Sequence, residues 1–144
     1  MRGNLSIALD RFRIPWEGRH YDRSNPNAAD IPNQALNHAA TFVECAAEVA
    51  IAAVGALPPL GFIHEDSSNS FTLDIADLFR SEVTIPLAFK VARKAIDAPE
   101  LILERALRRE AAMEFRRAKL ISQMIERIKE LVHVDDRSGD TKRE

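Results

Sequence analysis

Gly61-Phe-Ile-His-Glu-Asp-Ser-Ser-Asn-Ser-Phe-Thr-Leu-Asp-Ile-Ala-Asp-Leu-Phe-Arg-Ser-Glu-Val-Thr-Ile-Pro-Leu-Ala-Phe89 combines a histidine and two closely spaced aspartates with an otherwise apolar helical pattern. An apolar run, Leu60 to Ile63, ends at His64, and a polar loop, Glu65 to Ser70, leads into a helix that carries Asp74 and Asp77. At about 100° per residue, a separation of three puts both carboxylates on the same side, one turn apart. Leu73, Ile75, Ala76, Leu78 and Phe79 surround them, so the expectation is a poorly solvated pair that needs a cation or hydrogen bonds for compensation. With His64 folded back over the helix start, this donor set suits Mg²⁺ or Mn²⁺ better than a thiolate-seeking metal. A solvated capping arrangement is the competing reading, because acidic residues favour the first turn of a helix and short His/Asp patterns recur by chance.

Outward from this motif, 144 residues with 46% hydrophobic content suffice for one domain with a real core. A net charge of −2 gives no overall attraction to nucleic acid, so any such contact must come from local basic patches. Cys45 is the single cysteine and has no internal disulfide partner. The absence of a secretory signal or a spanning apolar run leads us to expect a cytoplasmic chain with no membrane partner. Nucleotide hydrolysis, serine esterase chemistry and zinc-ribbon binding lack their Gly-rich loop, Gly-x-Ser-x-Gly elbow and paired cysteines.

Residues 1–13 have helical spacing, and a loop follows to Pro32 in which Trp16 reads as a packing anchor. Asn33 to Gly55 is Ala-rich and reads as a buried central helix ended by Pro58-Pro59. Its small residues, Ala35, Ala39, Ala46, Ala50 and Ala53, would let other helices approach, while Leu36, Phe42, Val43, Val49 and Ile51 fill space. Cys45 and His38 are expected in its core. Pro86 should kink or interrupt the motif helix.

After a break at Asp97-Ala-Pro99, one long helix is expected to about Val132. With Arg105 at 0°, Arg108, Arg109, Arg116 and Lys119 fall within about 60° of it, and Leu103, Leu107, Ile121, Ile125 and Val132 fall opposite. Such a stripe is either a solvated face or a phosphate-binding one. Glu110 and Glu114 lie near the apolar side, which implies a local break or salt bridges with neighbouring arginines rather than a second metal site. The expected fold is all-α: a single domain of about five helices over residues 1–132, with a disordered charged tail at 133–144.

Gly61-Phe-Ile-His64, then Asp74-Ile-Ala-Asp77 and Pro86-Leu-Ala-Phe89-Lys90, resemble the core of the CRISPR-associated integrase family of spacer acquisition, its type I-E branch most closely. The similarity extends to Gly18-Arg-His-Tyr-Asp22, Asn33-Gln-Ala-Leu36, Ala50-Ile-Ala-Ala-Val-Gly55 and Phe115-Arg116 followed by Lys119. Glu44 stands where relatives carry a tyrosine, and Ala112 where an arginine is more usual.

The resemblance implies that the chain corresponds to the helical C-terminal catalytic domain. His64, Asp74 and Asp77 are then the catalytic and metal-binding residues, with Mg²⁺ or Mn²⁺ as cofactor. Tyr21 would pack on DNA by stacking, beside Arg19, and Arg105, Arg108, Arg109, Arg116 and Lys119 would contact phosphates. The implied reaction is metal-dependent transesterification joining a captured double-stranded DNA fragment into the CRISPR repeat. Implied partners are that DNA, a second copy and a small second adaptation protein.

In the family a glutamate just upstream of the position matching Met1 completes the metal site, and a β-rich N-terminal domain carries most dimer contacts. The first acidic residue here is Asp10. A truncated domain, inactive by itself, is therefore expected. The alternative is a non-catalytic helical DNA-binding or assembly module of the same family.

Overall fold

The helix from Ile31 to Val54, α1, is the axis of the fold. A computed structural model of the chain describes residues 10–19, 29–55 and 70–138, with backbone alone for 133–138. Asp30 starts α1 from an extended conformation, its Oδ1 accepting the Asn33 N–H at 2.9 Å. Pro32 occupies the first turn, where its missing N–H has no helical partner to lose. Gly55, at φ 71°, ends the helix in the left-handed conformation that glycine tolerates without a Cβ clash. The prolines expected to end it lie outside the described residues.

Ala35, Ala39, Ala46, Ala47 and Ala50 are buried along α1 and let neighbouring helices pack close. Four expectations for this helix change. Cys45 and Ala53 are exposed and Val49 is 53% exposed, because they occupy the outward face of a helix that packs on less than its whole circumference. His38 is half-buried.

The motif region divides into α2, Ser70–Leu78, a π-helical turn, Arg80–Thr84, and α3, Ile85–Asp97. The Thr84 N–H reaches back to the Phe79 carbonyl at 3.4 Å, one residue further than in an α-helix. Pro86, which donates no such bond, sits at the start of α3, where none is required. The expected interruption by Pro86 is thus present as a widened turn before it.

Beyond Ala98, α4 spans Leu103–Arg117 and α5 spans Leu120–Ser138. The single long helix expected here is broken at Ala118 and Lys119, and Lys119 has φ 50°. The break shifts the apolar stripe. Leu107 and Ala111 are buried before it, but Leu120, Met124 and Ile128 are buried after it. Ile121 and Val132, expected on the buried side, are 37% and 44% exposed. The helix also continues past the tail boundary expected at Val132, since no Gly or Pro intervenes before Gly139.

Two clusters form the core, one at each end of α1. Ala35, Leu36 and Ala39 pack with Phe89 and Val91 of α3 and Leu107 of α4. Val43, Ala47 and Ile51 pack with Ile75 of α2 and Met124 and Ile128 of α5. Phe115 lies against both clusters and joins them. Trp16 is the expected anchor: it meets the Phe89 ring edge-on, centroids 5.8 Å apart. Among the described residues there is no strand, and the fold is all-α as expected. No described helix is long and apolar enough to cross a membrane.

Candidate functional site

The apolar positions of α2 that turn inward are Ile75 and Ala76, followed by Phe79. This orientation leaves Asp74 and Asp77 exposed, one turn apart on the outer side. Leu73 and Leu78 are themselves 45% and 47% exposed. The pair is therefore well solvated, contrary to the expected apolar setting, because the crowding residues in sequence face the other way around the helix. Asp77 accepts from Arg80 Nη1 at 3.3 Å across the first turn of the π-helical segment. His64, the third candidate ligand, lies outside the described residues, as does Tyr21.

Across from α2, Glu44 of α1 lies in the field of Asp77. Burial raises its carboxyl above the ordinary range, and repulsion from Asp77 and Glu48 adds to this while Arg80 opposes it. In sequence Glu44 is only a departure from a tyrosine pattern. That α1 and α2 bring it beside Asp77 is a tertiary fact with no local signal. Among the described residues, no three His, Cys, Asp or Glu side chains are gathered so as to hold a metal ion.

The basic stripe is real for the part of it that lies on α4. Arg105, Arg108, Arg109 and Arg116 are exposed. Arg105, Arg109 and Arg116 follow one line along the helix, spanning about 16 Å at 1.5 Å per residue. Among the described residues none of these three has a carboxylate partner, and Arg116 Nε donates to the Ala112 carbonyl at 3.0 Å. Arg108 is different, bound to Glu104 at 2.5 Å. Lys119 is exposed too, but it sits in the break itself and does not continue the line.

The two ends of the stripe line different grooves. Arg105 and Arg109 line one of about 750 Å³ with Lys94, Ile102 and Met113. Lys119 lines another of about 530 Å³ with Leu78, Glu82 and Arg127, next to the motif segment. The structure thus brings Lys119, and not Arg105 or Arg109, to the end of the aspartate helix. Arg19 is exposed and its Nη2 donates to Asn37 Oδ1 of α1 at 2.8 Å.

Glu110 and Glu114, on the inner side of α4, form ion pairs as expected, but chiefly with lysines of α3. Lys90 Nζ lies 2.5 Å from Glu110 and 3.2 Å from Glu114, Lys94 lies 2.9 Å from Glu110, and Arg117 lies 2.7 Å from Glu114. The lysines hold the Glu110 carboxyl below the ordinary carboxylate range, Lys90 first, against the opposing effect of burial. Sequence spacing alone pointed to arginines because it compares residues on one helix, whereas the lysines come from the neighbouring one.

The sequence pattern of CRISPR associated protein Cas1 matches residues 8–115. A CRISPR-associated endonuclease Cas1 of Thermus thermophilus is 42% identical over 113 residues, covering 78% of this chain and 34% of the relative. That of Escherichia coli K12 is 29% identical over 132 residues, covering 92% of this chain and 42% of the relative. In three dimensions the crystal structure of a TtCas1–DNA complex matches with a TM-score of 0.81 at 35% identity, over 90% of this chain and 48% of that one. The chain spans less than half the length of these proteins. It belongs to the Cas1 family of CRISPR-associated proteins.

Proposed function

We propose that this chain is the helical, DNA-handling domain of a CRISPR adaptation endonuclease and integrase of the type I-E branch. The observation that carries this reading is the solvent-open pair Asp74 and Asp77, on one face of α2 within the segment that matches the family. The TtCas1–DNA complex among its structural relatives supports DNA as the partner. The substrates are a captured double-stranded fragment and the CRISPR repeat, joined by phosphodiester transesterification. A second copy and a small second adaptation protein belong to the same reading, with the cytoplasm as the place of action.

Carboxylate oxygens open to solvent, with an imidazole in the same motif, fit Mg²⁺ or Mn²⁺ in donor type. The described carboxylates do not complete a site by themselves, so His64 is needed beside Asp77 and Asp74. Once bound, the cation supplies neutralisation of the phosphate and activation of the attacking hydroxyl. Arg105, Arg109 and Arg116 neutralise and position backbone phosphates, Lys119 does so near the motif, and Arg108 contributes after release from Glu104. Tyr21 stacks on an unpaired base beside Arg19. Arg80 balances the charge of Asp77.

Two carboxylates and an imidazole give a hard cation few charged ligands, and water fills its other positions, so the affinity is low. We therefore expect the 144 residues in isolation to bind Mn²⁺ weakly and not to integrate DNA. A second reading is a non-catalytic DNA-binding or assembly module, for which the exposed row Arg105, Arg109 and Arg116 is the supporting feature, since it could hold phosphates without a metal. Mn²⁺-dependent strand transfer separates the two. It is measured for this chain and for a version extended through the upstream in-frame coding sequence, each with and without His64→Ala. Activity in the extended protein that disappears with His64→Ala supports the integrase; inactivity of every version, with DNA binding intact, supports the module.

A further inference from the structure

The charges between α3 and α4 form one alternating ladder: Lys94, Glu110, Lys90, Glu114, Arg117. Each carboxylate uses both oxygens. Glu110 gives Oε1 to Lys90 and Oε2 to Lys94, and Glu114 gives Oε1 to Lys90 and Oε2 to Arg117. With Glu104 bound to Arg108, every carboxylate of α4 is engaged, while Arg105, Arg109 and Arg116 have no carboxylate partner among the described residues. Glu110 is the innermost member, its side chain only 10% exposed. It lines the groove that Arg105 and Arg109 also line, and there its charge is shared between two ammonium groups. Lys94, its partner, is 52% exposed and lines the same groove as Arg105 and Arg109. Unpaired, its ammonium would add a further cation to that groove.

We propose that Glu110 is a charge-masking residue. By holding Lys94 and Lys90 on its two oxygens it withholds them from bound phosphates, so that nucleic acid on this face is gripped through the outward row Arg105, Arg109 and Arg116. Glu110 thereby sets how many phosphates the face contacts and in which register. Additional lysine contacts beside the row would raise affinity and open competing registers, because each phosphate contact helps to fix where the duplex lies. The proposal rests on the reading of the row as a phosphate track, and its test separates the two.

The first measurement needs no DNA. Amine-selective labelling of the whole chain, read by mass spectrometry, should modify Lys90 and Lys94 several-fold more slowly than exposed Lys119. Glu110→Gln should bring Lys94 to the rate of Lys119. Equal rates for Lys94 and Lys119 in the unaltered protein overturn the mask. The second measurement is the slope of log DNA affinity against log salt. Glu110→Gln should steepen it by roughly one to two units, because each new phosphate contact adds about 0.9. Lys94→Met alone should leave the slope unchanged, and combined with Glu110→Gln it should remove most of the steepening. A flattened or unchanged slope in Glu110→Gln, or a flattened one in Lys94→Met alone, contradicts masking. Thermal melts of each variant identify loss of fold, and the labelling of the unaltered protein stands even if Glu110→Gln fails to fold. If the unaltered chain shows no salt-dependent DNA binding, the phosphate track is what fails, and the labelling still decides the mask.

Discussion

Lys119 is a candidate phosphate contact held in a backbone conformation that lysine disfavours, and exchanging it should separate binding from stability. Its φ of 50° is left-handed, which costs a residue with a Cβ about 1–2 kcal/mol. Glycine removes that cost but adds unfolded-state freedom worth roughly 0.5–1 kcal/mol. The side chain is exposed and has no carboxylate partner among the described residues, so little packing is lost with it. Lys119→Gly should therefore stabilise by up to about 1 kcal/mol, or about 4 °C in the unfolding midpoint of a chain this size. Lys119→Ala loses the same charge but keeps the strain, and should show no gain. Both should flatten the salt dependence of DNA affinity by about one unit. Urea titration and binding isotherms at several salt concentrations measure the two effects. Equal stability of the Ala and Gly variants would refute the strain argument, and an unchanged slope in both would remove Lys119 from the phosphate contacts.

Two further outcomes follow from the charge pairs. Asp77→Asn loses an exposed pair with Arg80, worth at most about 1 kcal/mol, and relieves repulsion on Glu44. The metal-free stability should stay within about 0.5 kcal/mol by urea titration, whereas a loss of several kcal/mol would make the carboxylate a structural hydrogen-bond hub. Glu110 has a lowered folded-state pKa. The unfolded chain consequently binds its proton first as pH falls, and the stability it contributes, present above its ordinary range near 4.5, is lost on acidification through the folded value. Glu110→Gln should give a flatter acid limb of stability than the unaltered chain; parallel acid limbs would contradict the ion pairing.

The helical class, the Ala-rich central helix and the interruption before Pro86 were legible in the sequence because each rests on a local signal: periodicity, small residues, a missing N–H. The break at Ala118 and Lys119 was not, since neither residue is a helix breaker; it coincides with a shift of the buried stripe to Leu120, Met124 and Ile128, which share a cluster with α1. The shared side of Asp74 and Asp77 was legible from their spacing, and their exposure was missed because apolar neighbours in sequence need not be neighbours on a helix face. The arginine row was correctly placed on one side up to Arg116, where continuous periodicity ends. Pairing of Glu110 with Lys90 and Lys94, and the position of Glu44 beside Asp77, depend on which helices meet. No spacing within one helix carries that information.

The most direct test of the proposed cation site is a Mn²⁺ titration followed by the electron paramagnetic resonance signal of the free ion, with the unaltered chain, Asp77→Asn, Asp74→Asn and His64→Ala. The account predicts weak, saturable binding by the unaltered chain and loss of most of that binding in Asp77→Asn and His64→Ala, with the fold unchanged by circular dichroism. Mn²⁺ binding that is the same in all four proteins would contradict it.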